Sequence, residues 1–150
     1  MVTGAIQLIE RFYHEAWNRA DEAVAREILH PEFRFRASLG PERLGPERLG
    51  PEGFVAYTRS VHAALADYRC EIQEIVESGD KREAAAKMRF AGYHQAPFFG
   101  VEATGKEVEW AGAAFFKTDG ERITELWVLG DIDAVKRQLG AAAEQGFESE

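Results

Sequence analysis

Hydrophobic positions in the first third of the chain recur mainly at helical spacing. A first amphipathic helix is predicted, with Thr3 as a candidate cap, from apolar residues three or four apart: Ile6, Ile9, Tyr13, Ala16 and Trp17. A second short helix is predicted from Asp21 and ends before Pro31, because proline disfavours helical geometry in the residue it follows. A short strand is indicated over 33–36, where phenylalanine and arginine alternate. A third helix is predicted from Pro51, since the first helical turn tolerates a residue without an N–H.

The later two thirds of the chain alternate at the period of β-strands. Strands are predicted over about 68–78, 82–95, 106–117 and 121–130, separated by glycine-bearing polar turns. A last helix is predicted after Asp131 as its cap, with Gly140 just past its end. This order predicts one α+β domain over residues 1–140, with residues 141–150 as an acidic, frayed tail.

A five-residue unit repeats between the second and third helices, where the chain reads LGPER, LGPER, LGPEG from Leu39 to Gly53. The unit is too short and too rich in proline for a solenoid. Residues 39–50 are therefore predicted to form an exposed, irregular loop without chemistry of its own, which could shape the rim of a pocket.

Composition limits the kinds of molecule that the protein is expected to bind. The net charge of −8 opposes nucleic acids and anionic membranes, because both are polyanions. The single cysteine, Cys70, excludes an internal disulfide and a cysteine metal cluster, and its alternation with Tyr68 and Ile72 predicts a buried thiol. Neither a basic, apolar N-terminal leader nor an 18-residue apolar run occurs, so a soluble cytoplasmic protein is expected.

Motifs for bound cofactors are missing from the sequence. It contains no phosphate loop, no GxGxxG and no GxSxG, and its four histidines lack metal-ligand spacing. No metal or nucleotide cofactor is therefore expected. Acid–base chemistry in an apolar pocket remains, since a carboxylate among apolar groups has its pKa raised towards neutrality.

Asp131 is the first candidate for such a carboxylate. It shares strand parity with Ile123, Glu125, Trp127 and Leu129, so these side chains are predicted to lie on one face. The alternative is that Asp131 only caps the last helix, where aspartate accepts backbone N–H bonds. Glu125 is the second candidate, with a solvent-facing or arginine-paired strand residue as its alternative.

His94 is the candidate proton donor. Counting in twos along its strand places it on the face of Met88 and Phe90, opposite Arg89 and Tyr93. A histidine at the end of an apolar face can donate to a carbonyl or exchange a proton near neutral pH. The alternative is a hydrogen-bonded structural histidine in a loop.

Aromatic residues are the candidate substrate-binding surface, because flat ligands suit aromatic walls. Plain core packing is the alternative for each of them: Trp17, Tyr57, Phe98, Phe99, Trp110 and Trp127. The segment 95–100 is predicted to be an irregular loop or lid beside the pocket mouth.

Several short motifs, in order, resemble the SnoaL-like polyketide cyclase family, also labelled ester cyclases. The matching residues are Phe12-Tyr13, Trp17-Asn18, Gly92-Tyr93-His94, Phe99-Gly100, Thr104-Gly105-Lys106, Asp119-Gly120, Ile123, Glu125, Trp127, Asp131 and Gln138-Leu139-Gly140. The resemblance implies a cone-shaped α+β barrel of the nuclear transport factor two type, with N-terminal helices packed on a strongly bent, mostly antiparallel sheet and a short C-terminal helix. It also implies aldol-type ring closure on a small apolar or polycyclic carbonyl compound, with Asp131 at the position of the family's acid–base aspartate.

Other functions remain open at this stage. One is a non-catalytic domain that binds a small molecule, and another is a protein-interaction module. A water-activating hydrolase ranks third, because relatives of this fold with that activity need an arginine between two aspartates, whereas Arg89 has the wrong strand parity and only Asp131 is well placed. A homodimer through the outer face of the sheet is expected, because residues 111–116 are apolar on both faces of their strand.

Overall fold

Four α-helices and one π-helix form the helical part of the structure, a computed structural model that describes residues 4–37 and 48–140. The α-helices are α1 (Ala5–Arg11), α2 (Glu22–Ile28), α3 (Gly50–Ala64) and α4 (Ile132–Leu139), and the π-helix Phe12–Trp17 continues directly from α1. The first helix therefore ends at Trp17, as the periodicity predicts, but its last turns are wound more loosely than an α-helix.

Six strands form a single sheet in the order β2-β1-β6-β5-β4-β3. Their bounds are β1 (Leu29–Arg36), β2 (Arg48–Leu49), β3 (Leu65–Glu77), β4 (Glu83–His94), β5 (Glu107–Thr118) and β6 (Ile123–Gly130). All neighbours are antiparallel except β1 and β6, which are parallel. This is the predicted α+β class, with a sheet that stays open at β2 and β3.

Local signals fix the helix ends. The Asp21 carboxylate accepts from Val24 N at 3.1 Å and caps α2, and Pro51 lies in the first turn of α3. The Asp131 carboxylate accepts from Ala134 N at 3.1 Å and caps α4. Gly140 ends α4 with φ of 78°, a left-handed conformation that glycine adopts without a Cβ clash.

Register shifts bend the sheet. Pairing slips twice between β3 and β4, once between β5 and β6, and once between β1 and β6. An extra residue on one strand kinks it and increases its twist. The bent sheet packs its concave face against the π-helix and α3.

Aromatic side chains fill the space between helices and sheet. Trp17 is 1% exposed and its ring centroid lies 5.1–6.3 Å from seven other aromatic rings. Those rings are Phe12, Tyr13, Phe35, Phe54, Tyr57, Tyr68 and Phe90. Trp17 is therefore the centre of the core.

Three sequence predictions fall outside the described residues: the Thr3 cap, most of the LGPER repeat and the tail from residue 141. No helix within 4–37 or 48–140 has the length and hydrophobicity needed to cross a membrane.

Candidate functional site

A narrow cleft opens between the helices and the concave face of the sheet. It is lined by Trp17, Ala37, Tyr57, Tyr68, Phe90, Trp110, Val128 and Gly130. The cavity volume is about 10 Å³, roughly the space that one water molecule requires. In this form the cleft is a slot between aromatic rings rather than a wide chamber.

Three stacked rings from adjacent strands form one wall of the cleft. Phe90 and Trp110 lie 5.4 Å apart at 19°, and Tyr68 lies 6.1 Å from Trp110 at 15°. Phe90 packs over Gly112, where an added Cβ would lie 2.5 Å from Phe90 Cε2. The three ring planes are therefore nearly parallel, and stacked aromatic surface of this kind suits flat, conjugated ligands.

Trp17 forms the opposite side and is held by its backbone. Its carbonyl accepts from His62 Nε2 at 2.8 Å, and the His62 ring packs edge-on against Tyr68 at 5.2 Å. The next residue, Asn18, bonds both backbone groups of Cys70, at 2.7 and 3.1 Å. These contacts fix the end of the π-helix against β3 and set the position of the indole.

Two polar atoms of the cleft lining lack a hydrogen bond. Trp17 Nε1 and Tyr68 Oη are both buried, and neither has a hydrogen-bond partner among the described residues. Burial raises the pKa of Tyr68 well above its usual range, and a smaller interaction with the Trp17 indole N–H, which is too long or too poorly aligned to count as a hydrogen bond, acts in the opposite direction. Tyr68 is therefore a neutral hydroxyl near pH 7, and both residues are available donors.

Asp131 lies at the rim of the cleft rather than inside it. Its residue is exposed, and its Oδ1 accepts the α4 cap bond from Ala134 N. The preceding residue, Gly130, lines the cleft. None of Asp131, Glu125 and Trp127 lines the cleft, and the prediction that Ile123 shares their face is wrong, since Ile123 is fully buried on the inner face of the sheet.

The error comes from a bulge near the start of β6. Thr118 pairs with Ile123, but Lys117 pairs with Glu125, so Thr124 is an extra residue. Leu126 and Val128 therefore face inward, as their burial shows, and the residues between them face outward.

Glu125 and Trp127 lie on the outer face of the sheet. There they line a hollow of about 380 Å³ together with Val76, Ala85 and Phe115, among others. The Trp127 ring centroid lies 5.8 Å from that of Phe115. Glu125 and Trp127 are thus separated by the sheet from the aromatic cleft.

His94 lies on the predicted inward face and is fully buried. Its Nδ1 accepts from Thr104 N at 3.2 Å and lies 2.9 Å from Thr104 Oγ1, while Nε2 donates to Val101 O at 3.1 Å. Both ring nitrogens therefore hold the loop over 95–106. A proton-donating role for His94 stays a prediction that these bonds do not favour.

Phe98 and Phe99 belong to that loop and lie outside the cleft lining. Backbone bonds of 3.0 Å in both directions join Phe98 and Val101, with Phe99 at φ of 50° in the tight turn between them. Lys136 of α4 lies 5.6 Å from the centre of the Phe99 ring. The loop is thereby fastened to α4, the helix that Asp131 caps.

Of the residues predicted as ligand contacts, the structure brings Trp17, Tyr57 and Trp110 together. Sequence reasoning missed Tyr68 and Phe90 as lining residues. The signal was present: alternation predicts Tyr68 on the face of Cys70, and Phe90 pairs directly with Trp110 across β4 and β5.

The bent α+β sheet with an aromatic cleft defines a class of small domains, and comparison with known proteins identifies which family of that class this is. A sequence model described as SnoaL-like polyketide cyclase matches residues 7–139. The chain belongs to this family. A comparison with curated proteins finds no match.

Solved structures agree with this assignment. TsrD from Streptomyces laurentii is 29% identical with a TM-score of 0.74, covering 92% of this chain and 96% of that one. IdmH from Streptomyces antibioticus, described as a candidate polyketide cyclase, is 27% identical with a TM-score of 0.77, covering 91% and 99%. AclR from Streptomyces galilaeus, described as a candidate hydroxylase, shares the fold at 20% identity and a TM-score of 0.75, covering 95% and 89%.

Proposed function

We propose that this protein is a cofactor-free acid–base enzyme that acts on a small, flat carbonyl compound and catalyses aldol-type ring closure. The observation that carries the proposal is the cleft itself, an aromatic slot whose lining contains two unpartnered donors and ends at Gly130 beside Asp131. The family assignment and the description of IdmH as a candidate polyketide cyclase make cyclase chemistry the first to test.

Asp131 is the proposed acid–base group. Its Oδ1 holds the helix cap, and no hydrogen bond to its Oδ2 occurs among the described residues. In the proposed reaction the carboxylate takes a proton from the carbon next to a carbonyl, and the electron pair of that C–H bond forms an enolate. The enolate carbon then bonds to a second carbonyl carbon of the same molecule, and the resulting alkoxide takes the proton back.

Burial of the reacting carbonyl would make this chemistry easier. An enolate places negative charge on oxygen, and donors that are already oriented in a site without bulk water stabilise that charge. The cleft is narrow in this form, well below the ~300–1,000 Å³ typical of sites for drug-sized ligands. The proposed substrate therefore separates the rings on entry.

Enolisation can be tested before the natural substrate is known. Small aryl ketones and 1,3-diketones are incubated with the protein in D₂O, and exchange of the α-proton is followed by NMR. Wild type should accelerate exchange, and Asp131→Asn should lose about 10²- to 10⁴-fold of that acceleration, the usual contribution of a general acid–base group. Asparagine caps a helix about as well as aspartate, so the fold should be kept.

Asp133→Asn is the matched control, because Asp133 is an exposed carboxylate in the first turn of the same helix. It should exchange protons at the wild-type rate. Equal rates for wild type, Asp131→Asn and Asp133→Asn would remove Asp131 from the mechanism and leave it as a helix cap alone.

A non-catalytic binding domain is the second candidate. The exposed, capping position of Asp131 and the commitment of both His94 nitrogens favour it. It predicts that ketones bind in the cleft without any α-proton exchange, which the same NMR samples report through ligand line broadening.

A further inference from the structure

The two buried donors of the cleft destabilise the fold as long as they lack hydrogen bonds, and a ligand that accepts from both would remove that cost. A buried polar group without a hydrogen bond costs roughly 1–3 kcal/mol. Trp17 and Tyr68 are each 1% exposed, so solvent at the surface does not reach them. Both line the same cleft, and they lie on separate elements, the π-helix and β3.

The space beside the two donors fits an oxygen atom. The cavity of about 10 Å³ accommodates one water, and a carbonyl oxygen is no larger. An indole N–H only donates, and a phenol hydroxyl can donate as well, so the partner that satisfies both is an acceptor with two lone pairs. A carbonyl oxygen has two lone pairs and no proton of its own.

We propose that Trp17 Nε1 and Tyr68 Oη together form a carbonyl-binding pair that holds the oxygen of a ketone ligand at the inner end of the cleft. This assignment rests on the proposed function for the class of ligand, but it is a binding property and needs no turnover. The stacked rings of Tyr68, Phe90 and Trp110 supply aromatic contacts for the rest of the ligand, since a carbonyl conjugated to a ring lies in the plane of that ring. Because burial keeps the Tyr68 hydroxyl protonated, it remains a donor over the physiological pH range.

Tyr13 supplies a matched control. Its hydroxyl is also buried and without a partner among the described residues, and burial also raises the pKa of its phenol well above the usual range. It does not belong to the cleft lining. Tyr68→Phe and Tyr13→Phe thus delete the same group in comparable surroundings, inside and outside the proposed site.

The probes are acetophenone and α-methylstyrene, which have nearly the same shape but differ in a C=O against a C=CH₂ group. Binding is measured by protein NMR titration, with the indole N–H resonances as reporters. The chain has three tryptophans, so Trp110→Phe and Trp127→Phe assign the Trp17 signal by elimination. Trp17 itself is left intact, because it is the centre of the core and its replacement could unfold the protein.

Acetophenone should shift the Trp17 indole resonance downfield, as hydrogen bonding does, and should bind more tightly than α-methylstyrene. Tyr68→Phe should weaken acetophenone binding about 3- to 10-fold, the fold-change that corresponds to one neutral hydrogen bond. It should leave α-methylstyrene binding unchanged, and Tyr13→Phe should change neither. Tyr68→Phe should also keep or raise the melting temperature, because it removes an unpaired buried group.

Three results would overturn the assignment. One is equal affinity of wild type for the two probes. Another is an indole resonance that acetophenone does not move, which would mean that the pair holds water only. The third is a melting temperature lowered by Tyr68→Phe and not by Tyr13→Phe, which would give the hydroxyl a structural partner. If ketones bind through the pair but no α-proton exchange occurs, the proposed enzyme is refuted and the carbonyl-binding pair is supported. If exchange occurs and Tyr68→Phe does not affect it, the enzyme is supported and the pair is refuted.

Discussion

At the scale of single residues, Asn18 links the helices to the sheet, a role that its position in the sequence does not reveal. It follows the core tryptophan, and its amide completes the hydrogen bonds of Cys70 on β3, the outermost strand on that side of the sheet. An unpaired strand edge is open to pairing with other chains, and a side chain that bonds it covers part of that edge. One residue thus joins the helical layer to the sheet next to the cleft.

Removing the Asn18 amide should lower the free energy of unfolding. Asn18→Ala deletes two hydrogen bonds to partly buried backbone, which predicts a loss of about 1–3 kcal/mol in urea unfolding. Arg19→Ala, at an exposed neighbouring position, should change the free energy by no more than about 0.5 kcal/mol. Two variants of equal stability would show that water replaces the amide without cost.

At the scale of elements, the sequence predicts what depends on neighbours along the chain. The bounds of the five predicted strands fall within four residues of those observed, and the start of α2 and the cap of α4 are correct, since both depend on local hydrogen bonds. The prediction of an irregular loop over 39–50 is wrong at its end, where Arg48–Leu49 pairs with β1 and Gly50 begins α3. The bulge at Thr124 could not be predicted, because β6 carries apolar residues at both parities: Leu126 and Val128 inside, Trp127 and Leu129 outside. For such a strand, burying the odd-numbered or the even-numbered side chains is equally consistent with the sequence until the pairing with its neighbour is known.

The bulge gives a test of register. Deleting Thr124 should leave Ile123 opposite Thr118 and Glu125 opposite Lys117, so all the remaining side chains of β6 keep their faces. The protein should therefore fold, with a free energy of unfolding lower by about 1 kcal/mol. Inserting one alanine after Leu126 should instead turn Val128 outward and prevent stable folding. Circular dichroism with urea titration separates the two, and a deletion as damaging as the insertion would contradict the assigned register.

The turn between β5 and β6 predicts a pH dependence. Backbone N–H groups of Arg122 and Glu121 donate to the Asp119 carboxylate at 2.9 Å and lower its pKa below the ordinary 3.8. A lowered folded-state pKa means stabilisation that is present above 3.8 and is lost as the pH falls through the folded-state value. Asp119→Asn should therefore be less stable than wild type at pH 7, and the difference should shrink at pH 3.

Glu121→Gln is the control for that prediction, because no hydrogen bond to the Glu121 side chain occurs in the described structure. Urea unfolding at both pH values should show a pH-independent difference for Glu121→Gln. A constant difference for Asp119→Asn as well would mean that the turn stabilises the fold through shape rather than charge.

At the scale of the whole molecule, the sheet separates two surfaces that the sequence does not distinguish. The cleft gathers Trp17, Tyr68, Trp110 and Gly130 from segments far apart in the chain, and only the bend of the sheet decides that they meet. The outer face exposes Phe115 at 57% beside Trp127. The family resemblance predicts the fold. Which residues line the cleft depends on long-range strand pairing, and the periodicity of the sequence does not reveal that pairing.

The outer face predicts self-association. We expect the wild type to be a dimer through this face at micromolar concentration, because exposed aromatic surface gains free energy when a second copy covers it. Phe115→Ser should shift the protein to monomer in sedimentation equilibrium. Leu49→Ser alters an equally exposed residue on β2, at the edge of the sheet, and should leave the dimer intact; a monomeric wild type would refute the expectation.

Phe90, which lines the cleft, packs closely on Gly112 of β5. A methyl group at position 112 would collide with the Phe90 ring, and the ring could escape only by tilting, because Leu129 O lies 3.1 Å from the same point. The tilt would change the width of the slot although no lining residue had been replaced. We expect alanine at 112 to change which ligands the cleft admits, because its added carbon would lie against the Phe90 ring on the inner face of β5.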